Sequence, residues 1–238
     1  MSTKALIMFA REPKLGEVKT RLAKSITAEA VLCLYEAFVK DVANLCQSVS
    51  CDARFLYYES EDGRVSFLKA FSDKFILMRQ RGTDLGERLL NCLVDCEKGG
   101  YGKTVIVGSD CLTMTAEDLR NAFSALDAND YVLGPSTDGG FYLIGAQKTH
   151  PRMFNGVKWG TEAVLRQMQK NLKSGKRTVF LMDEKSDIDR IDDLYTFAKE
   201  VEKKHVALYT KTELKRIFRD LSSRSSKRTQ TSRKAFPI

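Results

Sequence analysis

Two kinds of apolar run alternate along the chain, and their lengths and spacing predict which segments form strands and which form helices. Short apolar or β-branched runs predict strands at residues 4–10, 53–58, 75–78, 104–107, 130–133 and 178–181. Apolar residues at helical spacing predict helices at residues 27–46, 85–98, 116–126, 161–172 and 188–202, with Thr115 and Thr161 as expected N-caps. Strands that alternate with helices in this way predict an α/β fold around a mostly parallel sheet.

The strand predicted at residues 104–107 is followed at once by Gly108, Ser109 and Asp110. A run that is apolar throughout is typical of a strand buried on both faces of a parallel sheet. Ligands of open α/β sheets bind beyond the carboxyl ends of the strands, so we expect Asp110 at the mouth of a cleft. The residues alone leave two interpretations open: a carboxylate that faces a metal or a phosphate, or a cap of the next helix or turn.

A basic loop follows the first predicted strand and leads into a helix. Arg11, Lys19 and Arg21 belong to this loop, which a proline and a glycine interrupt. Backbone N–H groups at a helix start and guanidinium groups both bind phosphate oxygens, so the loop is a candidate anion site. A solvated charged loop is the alternative.

Further candidates follow other predicted strands. Gln80, close to Gly82, offers both a donor and an acceptor to the edge of a base. Asp138 is a candidate base or contact for a substrate hydroxyl, and Gly139 and Gly140 after it would let the backbone approach a substrate, although a hairpin turn also explains them. Trp159, the only tryptophan, is either a wall of the substrate site or the edge of the core.

Asp187 and Asp189, the two late aspartates, lie just before or at the start of the last predicted helix. Carboxylates at a helix N-terminus suit its dipole, so capping alone would explain Asp189. Asp187 precedes the predicted helix and is freer to face a cation.

Length and composition fit one soluble globular domain. The 238 residues are 43% hydrophobic and 29% charged, and we expect one domain at 1–221 followed by a basic, disordered tail at 222–238. The tail holds five basic and no acidic residues, which leaves +3 of the net charge of +8 for the domain. No apolar run is long enough to span a bilayer, and the six cysteines lack zinc-site spacing. We therefore expect a cytoplasmic protein with reduced thiols and no membrane span.

Five sequence elements, in this order, resemble a known family. They are FAREPKLGEVKTRLA (9–23), GSDC (108–111), DYVLGPSTDGGFYLIG (130–145), VKWGT (157–161) and DIDRIDDL (187–194). They resemble the bacterial glycosyltransferase-like proteins of the nucleotide-diphospho-sugar transferase superfamily, which are similar to the molybdenum-cofactor and phospholactate guanylyltransferases. Two departures concern turns: Leu112 stands where the family usually has proline, and Arg190 and Ile191 replace Thr-Pro.

The resemblance implies a fold of the GT-A type, with a mostly parallel central sheet flanked by helices. It implies Mg²⁺ or Mn²⁺ held by Asp110 together with Asp187 or Asp189. It also implies that Lys19 and Arg21, with Arg11 and Ser109, face the phosphates, and that Gln80 and Gly82 lie near the base.

Three functions remain in competition. The first is a metal-dependent transferase that moves the glycosyl group of a nucleotide-activated sugar to an unknown small-molecule acceptor. The second is a nucleotidyltransferase, guanylyl- or cytidylyltransferase-like, that joins a nucleoside triphosphate to a small phosphorylated acceptor and releases pyrophosphate. The cations of the first loop favour the second, whereas the loop's single glycine, in place of a G-x-G-x-R pattern, favours the first. The third is nucleotide or nucleic-acid binding without catalysis; we do not expect a nucleic-acid partner. The oligomeric state stays open, a homodimer included.

Overall fold

The predicted strands come together in a single sheet. The computed structural model describes residues 2–60, 65–201 and 207–232. Within these residues the sheet has seven strands: β1 (Lys4–Arg11), β2 (Ala53–Glu59), β3 (Ile76–Arg79), β4 (Lys103–Val107), β5 (Tyr131–Pro135), β6 (Phe141–Ala146) and β7 (Val179–Leu181). Their order across the sheet is β3-β2-β1-β4-β6-β5-β7, and β6 alone among them runs antiparallel to its neighbours. The expectation of a mostly parallel sheet is confirmed.

Helices connect the strands and cover both faces of the sheet. In the described residues these are α1 (Ala28–Gln47), α2 (Leu85–Lys98), α3 (Ala116–Ala125), α4 (Val164–Ser174), α5 (Ile191–Val201) and α6 (Leu208–Ser232), with short 3-10 turns at Leu22–Lys24, Leu68–Phe71 and Pro151–Phe154. Strand β1 shows how the two cores are divided, because successive side chains of a strand point to opposite faces. Leu6 and Met8 pack with α1, α3, α5 and α6, whereas Ala5 and Ile7 pack with α2 and α4.

Local capping signals explain where several helices begin. Thr27, Asp84 and Thr115 are the N-caps of α1, α2 and α3, and each side chain accepts a hydrogen bond from the backbone of the first turn. The expectation that Thr161 caps a helix is wrong. Helix α4 begins later, at Val164, without a side-chain cap; the Thr161 hydroxyl donates to the carbonyl of Lys158 and accepts from Ala163 N–H at 3.4 Å.

The topology gathers the polar loops at one edge of the sheet. The carboxyl ends of β1, β4, β5 and β7 all point to the same edge, since these strands are parallel to one another across the sheet. Strand β6 runs the other way, so the turn that joins β5 to β6 lies at this edge as well. The hairpin interpretation of residues 134–141 is therefore confirmed, and the turn lies beside the loops that follow β4 and β7.

The C-terminal helix extends into the segment whose composition predicts disorder. Helix α6 extends through Ser232 and so includes residues 222–232, for which we expected disorder. Residues 233–238 of the predicted tail lie outside the described residues, and the division at residue 221 stays a prediction. Among the helices of the described segments, none is long and apolar enough to cross a membrane.

Candidate functional site

The site is centred on Lys19, whose ammonium group joins two carboxylates from distant parts of the chain. Lys19 Nζ lies 2.7 Å from Asp110 Oδ2, in the loop after β4, and 2.6 Å from Asp189 Oδ1, after β7. The Lys19 side chain is 8% exposed, and both carboxylates are about one third exposed. Burial alone would lower the pKa of Lys19, but the two carboxylates raise it well above its usual range, so the ammonium stays charged.

The backbone at Lys19 is held in an uncommon conformation. Its φ is +43°, in the left-handed region that non-glycine residues rarely occupy. Leu22 N–H donates to the carbonyl of Lys19, which starts the 3-10 turn that follows. Arg21 reaches the same carboxylate, with its Nη1 3.1 Å from Asp189 Oδ2. The basic loop therefore brings both cations onto Asp189.

The two late aspartates flank a buried residue that anchors them. Ile188 is 2% exposed, and its N–H lies 3.4 Å from the carbonyl oxygen of Asp110. The segment after β7 is thereby held beside the loop after β4. Asp187 and Asp189 both line the same cleft, and which of them acts with Asp110 toward a cation stays a prediction.

Asp187 is the most perturbed carboxyl group of the cluster. Burial, and after it the nearby charge of Asp110, raises the pKa of Asp187 to about 7. Its Oδ2 lies 2.8 Å from Ser136 Oγ, and the same hydroxyl lies 2.8 Å from Asp138 Oδ1. A hydroxyl has one proton to donate, so Ser136 satisfies only one of the two as a donor. Asp187 Oδ1 is buried and has no hydrogen-bond partner within the described residues.

A cleft of about 1310 Å³ opens beside this cluster. Asp138, Gly140, Asp187, Asp189 and Arg21 line it together with Phe9, Phe141, Trp159 and the first turn of α4. Asp138 Oδ1 accepts a hydrogen bond from Gly140 N–H, which closes the β5–β6 turn. The cleft is large enough for a ligand of the size of a nucleotide with a second small molecule.

Trp159 lines the cleft and also packs, half-buried, against the edge of the core, so its role as a wall of a substrate site stays a prediction. Its indole lies against Gly86 in the first turn of α2, where a Cβ would come within 2.6 Å of the ring. The absence of a side chain at Gly86 therefore lets the flat ring of Trp159 pack against the helix. Gly139 lies equally close to another segment, because a Cβ there would overlap the backbone of Glu162.

Several expected site residues lie at the edge of the cluster or are engaged elsewhere. Arg11 pairs with Glu59 at 2.8 Å and also donates to the carbonyl of Glu17. Gln80 Nε2 donates to the backbone carbonyls of Tyr57 and Ala10, which leaves its Oε1 as the polar atom without a described partner. The roles of these side chains toward phosphate and base stay predictions.

Gly82 and Ser109 are both held by local packing. Gly82 has a φ of +141°, and a Cβ there would come within 2.6 Å of Glu87 Cβ. The turn before α2 therefore requires a glycine irrespective of any ligand. Ser109 is 7% exposed, and its Oγ lies 3.2 Å from the hydroxyl of Tyr35.

Three residues that sequence reasoning did not select support the site from behind. Tyr35 on α1 is buried, accepts a hydrogen bond from Arg11 N–H, and contacts Ser109, so it joins the ends of β1 and β4. Ser136 connects Asp138 with Asp187. Glu12 is 3% exposed and accepts hydrogen bonds from three backbone amides and one hydroxyl at residues 66–68, which fixes that segment to the end of β1. Each is a buried polar residue inside an otherwise ordinary stretch, so only its unusual burial marks it.

The chemistry of the carboxylates fits a hard divalent cation. Mg²⁺ and Mn²⁺ prefer carboxylate oxygens; Asp187 and Asp189 line the cleft, and Asp110 lies beside it, joined to Asp189 through Lys19. The buried, unpartnered Oδ1 of Asp187 is a second indication, since a buried carboxylate oxygen normally has a partner. Within the described residues no group of three acidic, histidine or cysteine side chains is already arranged as a metal site. Two of the three carboxylates, those of Asp110 and Asp189, are instead bridged by Lys19.

The fold and the site define the class of protein. A sheet of this order with acidic and basic loops at one edge has the fold of the nucleotide-diphospho-sugar transferases, as the comparison with solved structures shows. Residues 42–161, half of the chain, match the family described as "Uncharacterized protein conserved in bacteria (DUF2064)", and the chain belongs to this family. No curated protein matches the chain.

Three solved structures illustrate the likeness. A protein from Desulfovibrio desulfuricans G20, named provisionally as a nucleotide-diphospho-sugar transferase, has a TM-score of 0.82 and 25% identity, with 91% of this chain and 95% of that chain covered. The inositol-1-phosphate CTP transferase of T. maritima has a TM-score of 0.57 and 15% identity over 86% and 98% of the two chains. The glucosyl-3-phosphoglycerate synthase of Mycobacterium tuberculosis, solved with Mn²⁺ and UDP, has a TM-score of 0.50 and 10% identity over 84% and 77%. The last two show a shared fold alone.

Proposed function

We propose that this chain is a metal-dependent transferase that uses a nucleotide-activated sugar. The observation that carries the proposal is the meeting of Lys19 and Arg21 with the carboxylates of Asp110 and Asp189 at the mouth of the cleft. Alternating cationic and anionic groups of this kind suit a ligand that brings both phosphate oxygens and a divalent cation. The name of the Desulfovibrio protein and the Mn²⁺ and UDP of the mycobacterial synthase agree with this proposal.

Asp110, Asp187 and Asp189 would hold Mg²⁺ or Mn²⁺. When bound, the cation would neutralise charge that develops on the departing diphosphate. Lys19 would contribute to the same electrostatic task from the other side of the phosphates, with Arg21 next to it. Since the Lys19 ammonium is already tied to two carboxylates, it is held in place before the ligand arrives, which reduces the entropy lost on binding.

Asp138 is the candidate base of the acceptor side. Its Oδ1 is occupied by Ser136 and by the N–H of Gly140, whereas no described residue donates a hydrogen bond to its Oδ2. Oδ2 would accept the proton of an acceptor hydroxyl as that oxygen attacks the sugar. Gly139 and Gly140 would then let the backbone approach the acceptor, with Trp159 as the opposite wall.

The alternative is nucleotidyl transfer, in which an acceptor phosphate attacks the α-phosphate of a nucleoside triphosphate. The cytidylyl-type transferase of T. maritima shares the fold, so the fold does not decide between the two reactions. The cluster of cations near β1 favours a highly charged ligand, which is the observation on the side of this alternative. We place either enzyme in the cytoplasm, an expectation with which the free cysteines agree.

The deciding experiment separates the two leaving groups. The protein is incubated with Mn²⁺ and either a panel of sugar nucleotides or labelled nucleoside triphosphates, together with candidate acceptors. Release of nucleoside diphosphate from a sugar nucleotide supports glycosyl transfer, whereas release of pyrophosphate supports nucleotidyl transfer. Asp110→Asn is expected to abolish either activity. Ligand binding that resists chelation of divalent cations and is lost without residues 222–238 would instead favour a non-catalytic binding protein.

A further inference from the structure

Two arginines of the cleft have no ion pair or side-chain hydrogen bond with another described residue. Arg166, in the first turn of α4, and Arg190, directly before α5, both line the cleft. Within the described part of the chain, neither side chain forms a hydrogen bond or a salt bridge. Arg190 acts on Asp189 only at longer range, where its charge helps to lower the pKa of that carboxyl group. Arg166 lies four residues after Glu162, another cleft residue, yet forms no ion pair with it.

These two arginines differ from the other cations of the site. Lys19 and Arg21 are paired with Asp110 and Asp189, and the proposed function assigns them to the donor phosphates. Arg166 and Arg190 lie beyond that pairing. Both are exposed, so leaving them unpaired costs little in the free protein, and a ligand would remove them from water.

Arg166 and Arg190 line the same cleft as Asp138, the candidate base, and Arg166 lies on a segment attached to the Asp138 turn. Leu165 N–H donates to the carbonyl of Gly139 at 3.0 Å, so the first turn of α4 is attached to the turn that carries Asp138. Arg190 follows Asp189 directly, and its N–H donates to Asp193 Oδ2 at 2.7 Å, which holds the residue at the start of α5. Asp138 and both arginines thus border one cleft.

We propose that the acceptor of this transferase is an anion, and that Arg166 and Arg190 bind its phosphate or carboxylate group. This inference rests on the proposed function, because it takes the other half of the cleft to be the donor site. Guanidinium groups match the geometry of such oxyanions and bind them through paired N–H donors. The acceptor would present a hydroxyl to Asp138 and its oxyanion to the two arginines.

The test measures binding of simple anions at low ionic strength, where electrostatic contacts are least screened. Wild type, Arg166→Gln, Arg190→Gln and the control Lys170→Gln, one turn further along α4 and outside the cleft lining, are each saturated with Mn²⁺ and a nucleoside diphosphate. Each is then titrated with glycerol 3-phosphate, glycerate or glycerol by calorimetry. The same titrations are repeated without nucleotide.

We expect at least one of the two anions to bind wild type and the control, and glycerol not to bind. Each arginine substitution should weaken that binding about 10- to 100-fold, as for other hydrogen bonds to charged groups, with nucleotide affinity unchanged. Preference for glycerol 3-phosphate or for glycerate identifies the oxyanion as phosphate or carboxylate.

Three results would overturn the inference: equal binding of glycerol and the anions, no binding of either anion to wild type, or no effect of the arginine substitutions beyond that of the control. Loss of nucleotide affinity in the arginine variants would also overturn it, because these residues would then belong to the donor site. A wild type that binds no nucleotide contradicts the proposed function instead, and the titrations without nucleotide still test the arginines.

Discussion

Replacing Lys19 with methionine removes one ammonium group from between Asp110 and Asp189 and keeps most of the aliphatic stem. Removing one partner of a fully buried ion pair costs about 3–5 kcal/mol, whereas exposed pairs contribute about 0–1 kcal/mol. The Lys19 side chain is 8% exposed but its partners are about one third exposed, so water still screens the carboxylates. We therefore expect the free energy of unfolding to fall by about 2 kcal/mol, between these two limits.

Urea unfolding at pH 7, followed by circular dichroism, measures this loss. Lys24→Met, an exposed lysine of the same segment, is the matched control and should stay within about 0.5 kcal/mol of wild type. A double-mutant cycle with Asp189→Asn isolates the pair, and the double variant should lose less than the two single variants combined. A Lys19→Met protein as stable as the control, or a cycle with no coupling, would refute the assignment of Lys19 as the centre of the cluster.

The same substitution, which should lower stability, should raise the affinity for a metal ion alone. Without the ammonium group, Asp110 loses its lysine partner and Asp189 keeps only Arg21, so Mn²⁺ alone should bind Lys19→Met more tightly than wild type in a titration followed by electron paramagnetic resonance. The complex of Mn²⁺ with a nucleoside diphosphate should bind it more weakly, because a phosphate contact is lost. If Mn²⁺ alone bound the variant more weakly, Lys19 would not compete for the carboxylates.

The remaining predictions concern the turn, the buried glutamate and the tryptophan. Gly139→Ala should lower the melting temperature and the transferase activity, since its φ is +83° and a Cβ would overlap the backbone of Glu162, whereas Gly156→Ala, with φ of +65° and open space around it, should cost less in both measurements. Burial alone would raise the pKa of Glu12, but hydrogen bonds from backbone amides outweigh it and lower that pKa below its usual value, so the stability that Glu12 contributes is present above the usual pKa of a glutamate and is lost on acidification. Glu12→Gln should therefore lower the free energy of unfolding by about 2 kcal/mol at pH 7, and equal stabilities at pH 7 in urea would contradict this. Trp159 lines the cleft, so its fluorescence should change when Mn²⁺ and a nucleoside diphosphate bind, and an unchanged spectrum at saturation by calorimetry would place the ligand elsewhere.

Local sequence signals predicted most of the fold. The capping roles of Thr27 and Thr115 depend on residues within one helical turn, so the sequence contains the whole interaction. The N-cap predicted at Thr161 was wrong, because helix α4 begins at Val164 and the Thr161 hydroxyl donates to the carbonyl of Lys158. The strand ends were equally readable, since each apolar run stops where polar residues begin.

The sequence indicated which residues lie near this edge of the sheet, but not which of their side chains contact one another. Asp110, Asp187 and the basic loop could be selected because each follows a strand. That Lys19 would contact two carboxylates, and that Ser136 would lie between Asp138 and Asp187, depends on loops separated by many residues in the chain. Sequence spacing sets no distance across a sheet edge, so these contacts required coordinates.

The reversed direction of β6 has a consequence for how this enzyme could diversify. The loops that the proposed function assigns to the donor follow parallel strands and lead into helices, so a change in any of them disturbs a helix and its packing. Asp138 instead sits on a tight hairpin between β5 and β6, and that hairpin is attached to α4 through the carbonyl of Gly139. A new acceptor could be accommodated by exchanging this short hairpin and the segment it touches, while the nucleotide half of the molecule stays as it is.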